Sequence, residues 1–220
     1  AATLLLRVLA AVAFALRDLF STLDDLLTCG GDPRLMLDPI SRLNDYGCGP
    51  SPLPQTLSFA SSTASTISER AYERAGLARE ELMRSAIAVG LESALETRIE
   101  DMRAELKAYL ALPPAKVDVV FSASGTDSQL HALFLARLLL GPDLKTIVVG
   151  SDQTGSGTLF TTRGRHFNRF TASGMMVRKD TPVAGLACDS VMVRIADTSG
   201  VKPRVDADLA VLDAVEAAVA

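Results

Sequence analysis

Six consecutive residues carry the strongest chemical signal in this sequence: Ser122-Ala123-Ser124-Gly125-Thr126-Asp127. They follow an apolar, β-branched run at 117–121 and precede a helical pattern over 127–140 that Gly141-Pro142 closes. A turn between a strand and a helix leaves the first helical amides without intrahelical acceptors, and the helix dipole favours an anion there. Gly125 lets the backbone approach a phosphate closely, and Ser124 and Thr126 add hydroxyl donors. Asp127 either caps the helix or takes a hydrogen bond from a ligand. The chemistry implied is phosphate binding; the plain alternative is an ordinary capped turn. The run is not a P-loop, because no Gly-Lys-Ser/Thr follows, and it lacks the G-x-G-x-x-G dinucleotide pattern.

Other constellations speak less clearly. Gly155-Ser156-Gly157-Thr158 is a flexible turn that either lines the same cavity or forms a plain loop. Arg163-Gly164-Arg165-His166-Phe167-Asn168-Arg169 is the most basic cluster; it suits a solvated face with local ion pairs, or a guanidinium grip on a carboxylate. His131 reads as structural, with a place near the turn as the alternative. The run 61–66 is a helix lead, or a source of hydroxyls for a substrate. No G-x-S-x-G nucleophile elbow exists. Two histidines and three scattered cysteines, Cys29, Cys48 and Cys188, give no metal-ligand spacing and no disulfide framework, so a reducing cytoplasm is the expected compartment.

The elements that must position these residues follow from patterning. Of 220 residues, 48% are hydrophobic and 22% charged, enough for one large α/β domain or part of one. A net charge of −4 and the absence of Trp argue against a nucleic-acid partner. Residues 1–28 read as one helix; Arg7, Arg17 and Asp18 interrupt its apolar stretch too early for a membrane span, so no membrane partner is expected. Residues 30–57 are too rich in Gly and Pro for regular structure, and 57–59 suits a short strand. Thr66-Ile67-Ser68-Glu69 has the form of a capping box. From 77 to 110, Ile87, Leu91, Leu95, Ile99, Met102, Leu106 and Leu110 mark one buried helical stripe, ended by Pro113-Pro114. The strand at 117–121, the following helix and a strand at 146–149 make a βαβ unit with a parallel sheet. Further strands are expected at 175–178 and 190–195, and a helix along Leu209, Leu212, Val215 and Val219.

Ser124-Gly125-Thr126-Asp127 after an apolar strand resembles the phosphate loop of fold-type I pyridoxal-phosphate enzymes, which include aminotransferases and cysteine desulfurases. The similarity spans roughly residues 57–220: Leu57-Ser58-Phe59-Ala60-Ser61-Ser62-Thr63-Ala64 is loosely similar to the opening of the desulfurase branch. Thr146-Ile147-Val148-Val149 with Ser151-Asp152-Gln153-Thr154-Gly155 takes the place of the second strand and the cofactor-stacking loop. The resemblance implies a three-layer αβα large domain with a mostly parallel sheet over 57–220, preceded by a helical and irregular arm over 1–56. It implies pyridoxal 5'-phosphate as cofactor, held by Ser124, Gly125, Thr126 and Asp127, with Gln153 and Thr154 at the ring.

The activity implied is that of a transferase or lyase on an amino-acid or amine substrate, in a cytoplasmic homodimer. Which bond of the substrate breaks is left open. The Schiff-base lysine of that family has no counterpart among Lys107, Lys116, Lys145, Lys179 and Lys202. The expectation is therefore an N-terminal portion, inactive alone and completed by a C-terminal half. A non-catalytic α/β module binding a phosphate-bearing ligand is the alternative.

Overall fold

The computed structural model describes residues 19–29, 33–55, 57, 66–197, 200–201 and 204–219. The chain divides into two units, Ala1–Phe121 and Ser122–Ala220. The division expected between residues 56 and 57 adjoins residues 58–65, which lie outside the described residues, as do most of the strand expected at 57–59 and residues 1–18 of the N-terminal helix.

In the first unit, α1 (Leu23–Thr28) is capped by Thr22, whose hydroxyl accepts from the Asp25 amide at 3.1 Å. Residues 36–55 are irregular, as their composition requires. Helix α2 (Glu69–Val89) begins where a capping signal was expected, but the cap is Ser68 rather than Thr66: its hydroxyl accepts from the Ala71 amide at 3.3 Å. Helix α3 (Leu91–Tyr109) follows after a single residue, Gly90, with φ of 88°, a backbone state that side-chain-bearing residues rarely adopt. The single long stripe expected over 77–110 is thus broken into two helices that pack on each other. Burial shifts accordingly: Ala86 and Ala94 join Leu19 in the core, with Leu82, Met83 and Leu91 around them, whereas Ile87 is 71% exposed. Small side chains at the contact let the two helices approach closely. A cavity of about 510 Å³ lies in this unit, with Leu23, Leu27, Ala78, Leu82 and Met102 among its walls.

The second unit holds α4 (Gly125–Leu140), β1 (Lys145–Val149), α5 (Thr158–Thr161), β2 (Asp189–Val193), the two-residue strands β3 (Ala196–Asp197) and β4 (Gly200–Val201), and α6 (Arg204–Val219). Strands β1 and β2 are parallel, in register from Lys145 opposite Asp189 to Val149 opposite Val193, and β3 pairs antiparallel with β4. Val148 and Val193 are buried, α6 packs against both long strands, and α4 packs against α5. Lys145 Nζ donates to the Ala218 carbonyl at 2.8 Å, setting a cation at the C-terminal end of α6 where the dipole favours it.

The class is therefore α/β with a small parallel sheet, but the strands differ from those expected. Residues 117–121 form no ladder with any described residue, so the expected βαβ unit is replaced by a parallel pair whose crossover is residues 150–188. Residues 175–178 contribute one bridge, Met176 to Phe170, rather than a strand. No helix among the described residues is long and apolar enough to cross a membrane.

Candidate functional site

Helix α4 starts at Gly125 because Ser124 caps it. The Ser124 hydroxyl accepts from the Asp127 amide at 3.1 Å and donates to Asp127 Oδ2 at 2.7 Å, so hydroxyl and carboxylate close on each other. The Ser128 amide donates to the Ser124 carbonyl at 3.1 Å. The amides of Gly125 and Thr126 are then left over, with no acceptor among the described residues. The space in front of Gly125 is open: a Cβ built there meets nothing within 4 Å. Two unpaired amides thus stand at the positive end of a 16-residue helix, at an exposed glycine.

Of the two hydroxyls expected as donors, Ser124 is committed to the cap, and its proton goes to Asp127. The Thr126 hydroxyl makes no hydrogen bond with a described residue. Its methyl group packs on Gly157, where an added Cβ would stand 2.6 Å from Thr126 Cγ2. The turn 155–158 therefore leans directly on the 124–127 turn, and only a residue without a side chain allows that approach. Ser122, just before the cap, is hydrogen-bonded through Oγ to His131 Nδ1 at 2.9 Å, which ties the incoming chain to the second turn of α4.

Gln153 and Thr154 lie in the loop that leaves β1. Gln153 is exposed, its amide donates to the Gly150 carbonyl at 2.8 Å, and no hydrogen bond joins its side chain to the 124–127 turn. Thr154 Oγ1 is buried and has no hydrogen-bond partner among the described residues. Asp152 instead anchors this loop: its Oδ1 accepts from the Ile195 amide at 3.1 Å. Sequence reasoning passed over Gln129, whose Nε2 donates to Thr158 Oγ1 at 3.2 Å while Oε1 accepts from the fully buried Thr161 hydroxyl at 2.5 Å. The one local signal was its place four residues after Gly125, on the same helix face.

The basic cluster is a set of local contacts. Arg163 Nε donates to the Leu159 carbonyl at 2.7 Å, and Arg165 donates to the Asp180 carbonyl at 2.5 Å and lies 3.3 Å from its carboxylate. Burial pushes the Cys188 thiol up, away from thiolate chemistry, and its Sγ donates to the Thr162 carbonyl at 3.3 Å. Neither protein-family profiles, nor curated proteins, nor solved structures match this chain.

The 124–127 turn offers a phosphate monoester the two unpaired amides, beside the Asp127 carboxylate, while the Thr126 hydroxyl lies against Gly157, 3.3 Å from where a Cβ would stand. A pyridine ring finds less: no aromatic residue or histidine occupies the loop 151–155.

Proposed function

We propose that this chain is the cofactor-phosphate-binding portion of a pyridoxal-phosphate-dependent transferase or lyase of fold type I, acting on an amino-acid or amine substrate. The observation that carries this reading is the pair of unpaired amides at Gly125 and Thr126, beside open space at the head of α4. The Gly125 and Thr126 amides hold the phosphate, on a helix start that the Ser124 cap sets, and so fix the direction in which the rest of the cofactor extends. The Ser124–Asp127 pair keeps the first turn rigid, which lowers the ordering cost of binding. Bound pyridoxal phosphate supplies an electron sink for charge developing at the substrate Cα.

On this reading β1 and β2 belong to a three-layer αβα large domain. The exposed leucines of α4, Leu135, Leu138, Leu139 and Leu140, suit an interface in a homodimer or with a complementary C-terminal half. Three free cysteines suit a cytoplasmic protein. The alternative, a non-catalytic module binding a phosphate-bearing ligand, is favoured by the state of the lysines. Lys107 is paired with Asp118, Lys145 with the Ala218 carbonyl, and Lys179 lies over the Phe160 ring.

Gly125→Asp tests the phosphate site. A carboxylate in the open space before the two amides takes the ligand's place and repels it, so retention of pyridoxal phosphate on dialysis is lost in the variant and kept in the parent chain. Equal retention by both overturns the reading. Borohydride reduction of the full-length protein, with the complementary C-terminal half present, separates the two classes: a covalent cofactor adduct marks the enzyme, and its absence with phosphate binding intact marks the module.

A further inference from the structure

We infer that the hollow between α1, α2 and α3 in the first unit binds an aliphatic monocarboxylate, its chain against the leucines and its carboxylate at Arg74 and Arg79. The site does not draw on the 124–127 turn. Its shape comes from residue size. Gly76 lets α2 come close to α1, since a Cβ built there stands 3.7 Å from Leu23 Cδ2. Beside it, Ala75 and Ala78 are too short to fill the gap. The space left, about 510 Å³, falls within the range of small-molecule sites, roughly 300–1,000 Å³. Leu23, Leu26 and Leu27 wall it from α1, Leu82 from α2 and Met102 from α3. None of its described walls is aromatic, which suits a flexible hydrocarbon chain better than a flat ring.

The charge on the walls selects the head group. Arg74, Arg79 and Arg98 line the cavity against a single described carboxylate, Glu81. Arg98 leans to Glu105, at 3.8 Å. Arg74 has no hydrogen bond or ion pair from its side chain to a described residue. Arg79 uses only Nε, which donates to the Leu19 carbonyl at 2.9 Å. That bond holds the Arg79 side chain in place and leaves its two terminal nitrogens uncommitted among the described residues, so less order is lost on binding. The acids of α1 are engaged elsewhere. Asp24 accepts from the Tyr72 and Ser51 hydroxyls at 2.7 and 2.9 Å, and Asp25 pairs with Arg42 at 3.0 Å. With Arg98 answered by Glu105, two guanidiniums stand against one carboxylate, a surplus that a monoanion balances. Residues 1–18 are apolar and lead into Leu19, but they bring Arg7 and Arg17 against one acid, Asp18, and so do not answer that surplus.

The test is calorimetry on the full chain with decanoate, 1-decanol and pentanoate, beside thermal unfolding. Decanoate binds. Decanol keeps the chain without the charge, pentanoate keeps the charge with half the chain, and each binds about tenfold more weakly or worse. Arg74→Gln, on an exposed residue, lowers decanoate affinity about tenfold and leaves decanol unchanged. Ala78→Phe fills the hollow and abolishes binding of both; should it fail to fold, Arg74→Gln decides alone. A parent chain that binds no decanoate overturns the inference, whatever else fills the hollow, residues 1–18 included. Decanol bound as tightly as decanoate, or Arg74→Gln binding like the parent, overturns the role of the guanidiniums. Decanoate bound equally by a folded Ala78→Phe overturns the placement of the site. None of these outcomes touches pyridoxal phosphate retention, which is decided at Gly125.

Discussion

Two five-residue runs of nearly the same character meet different fates. Val117-Asp118-Val119-Val120-Phe121 and Lys145-Thr146-Ile147-Val148-Val149 are both rich in β-branched residues, and both suit a strand by local preference. The second becomes β1: Val148 is 5% exposed, β2 lies alongside in register, and Thr146 Oγ1 donates to the Thr162 carbonyl and shares a hydrogen bond with Ser190 Oγ, each at 2.8 Å. The first joins no ladder among the described residues, with Val120 53% exposed. Its polar groups are met by α3 instead: Arg103 Nε donates to the Val119 carbonyl at 2.9 Å, and Lys107 Nζ reaches Asp118 at 3.2 Å. A strand is a property of a pair, and what separates the two runs is whether a partner's ladder reaches them.

The sharpest way to break this comparison is truncation at matched positions. Val148→Ala removes a buried side chain between strand and helix and lowers unfolding free energy by about 2 kcal/mol. Val120→Ala, on a half-open side chain, changes it by less than about 0.5 kcal/mol. Denaturant midpoints with unchanged slopes read both values; equal losses at the two sites would mean that 117–121 is packed as tightly as β1. A smaller effect sharpens the same contrast. Arg103→Leu strips the Val119 carbonyl of its side-chain donor and costs about 1 kcal/mol or less, since water can reach the run. Amide exchange at 117–121 then quickens while that of β1 does not move; parallel changes in both would deny that Arg103 is what holds the run.

The same contrast shows which features were legible in the sequence. The C-terminal end of α4 was readable because its signals are local: Gly141 stops it, and the run to Leu140 holds a helical period; its start was expected at Asp127, whereas Ser124 caps it and the helix begins at Gly125. β1 was readable to within one residue, and residues 124–127 form the capped start of a helix, the plainer of the two expectations for that turn. Gly90 was hidden inside a continuous periodicity that a lone glycine does not interrupt on paper, although its positive φ ends one helix and begins another. That break is also why Ile87 is exposed while Ala86 is buried. The pairing of β1 with β2 spans a long crossover, and Gln129 meets Thr161 across 32 positions of chain. Such contacts are set by tertiary packing, and no local pattern announces them.

The crossover that brings β2 to β1 carries its own weak point, and pH finds it. His166 lies within it; its amide donates to the Thr181 carbonyl at 2.9 Å, and its carbonyl accepts from the Asp180 amide at 2.8 Å. Burial pushes its imidazole below the ordinary histidine range, so the folded chain favours the neutral ring. Arg165, whose guanidinium pairs with Asp180, stands next to it in sequence and adds no stabilising negative charge of its own. The unfolded chain takes up its proton near the ordinary value of about 6.5, before the folded chain does. Stability is therefore complete above that value and declines as the pH falls through it, levelling only once the folded ring also protonates. His166→Gln removes the titration, so denaturant midpoints taken from neutral to mildly acidic pH fall less steeply in the variant than in the parent. Parallel slopes would show that the histidine charges as readily in the fold as out of it, and that the crossover is no more sensitive to acid than the unladdered run at 117–121.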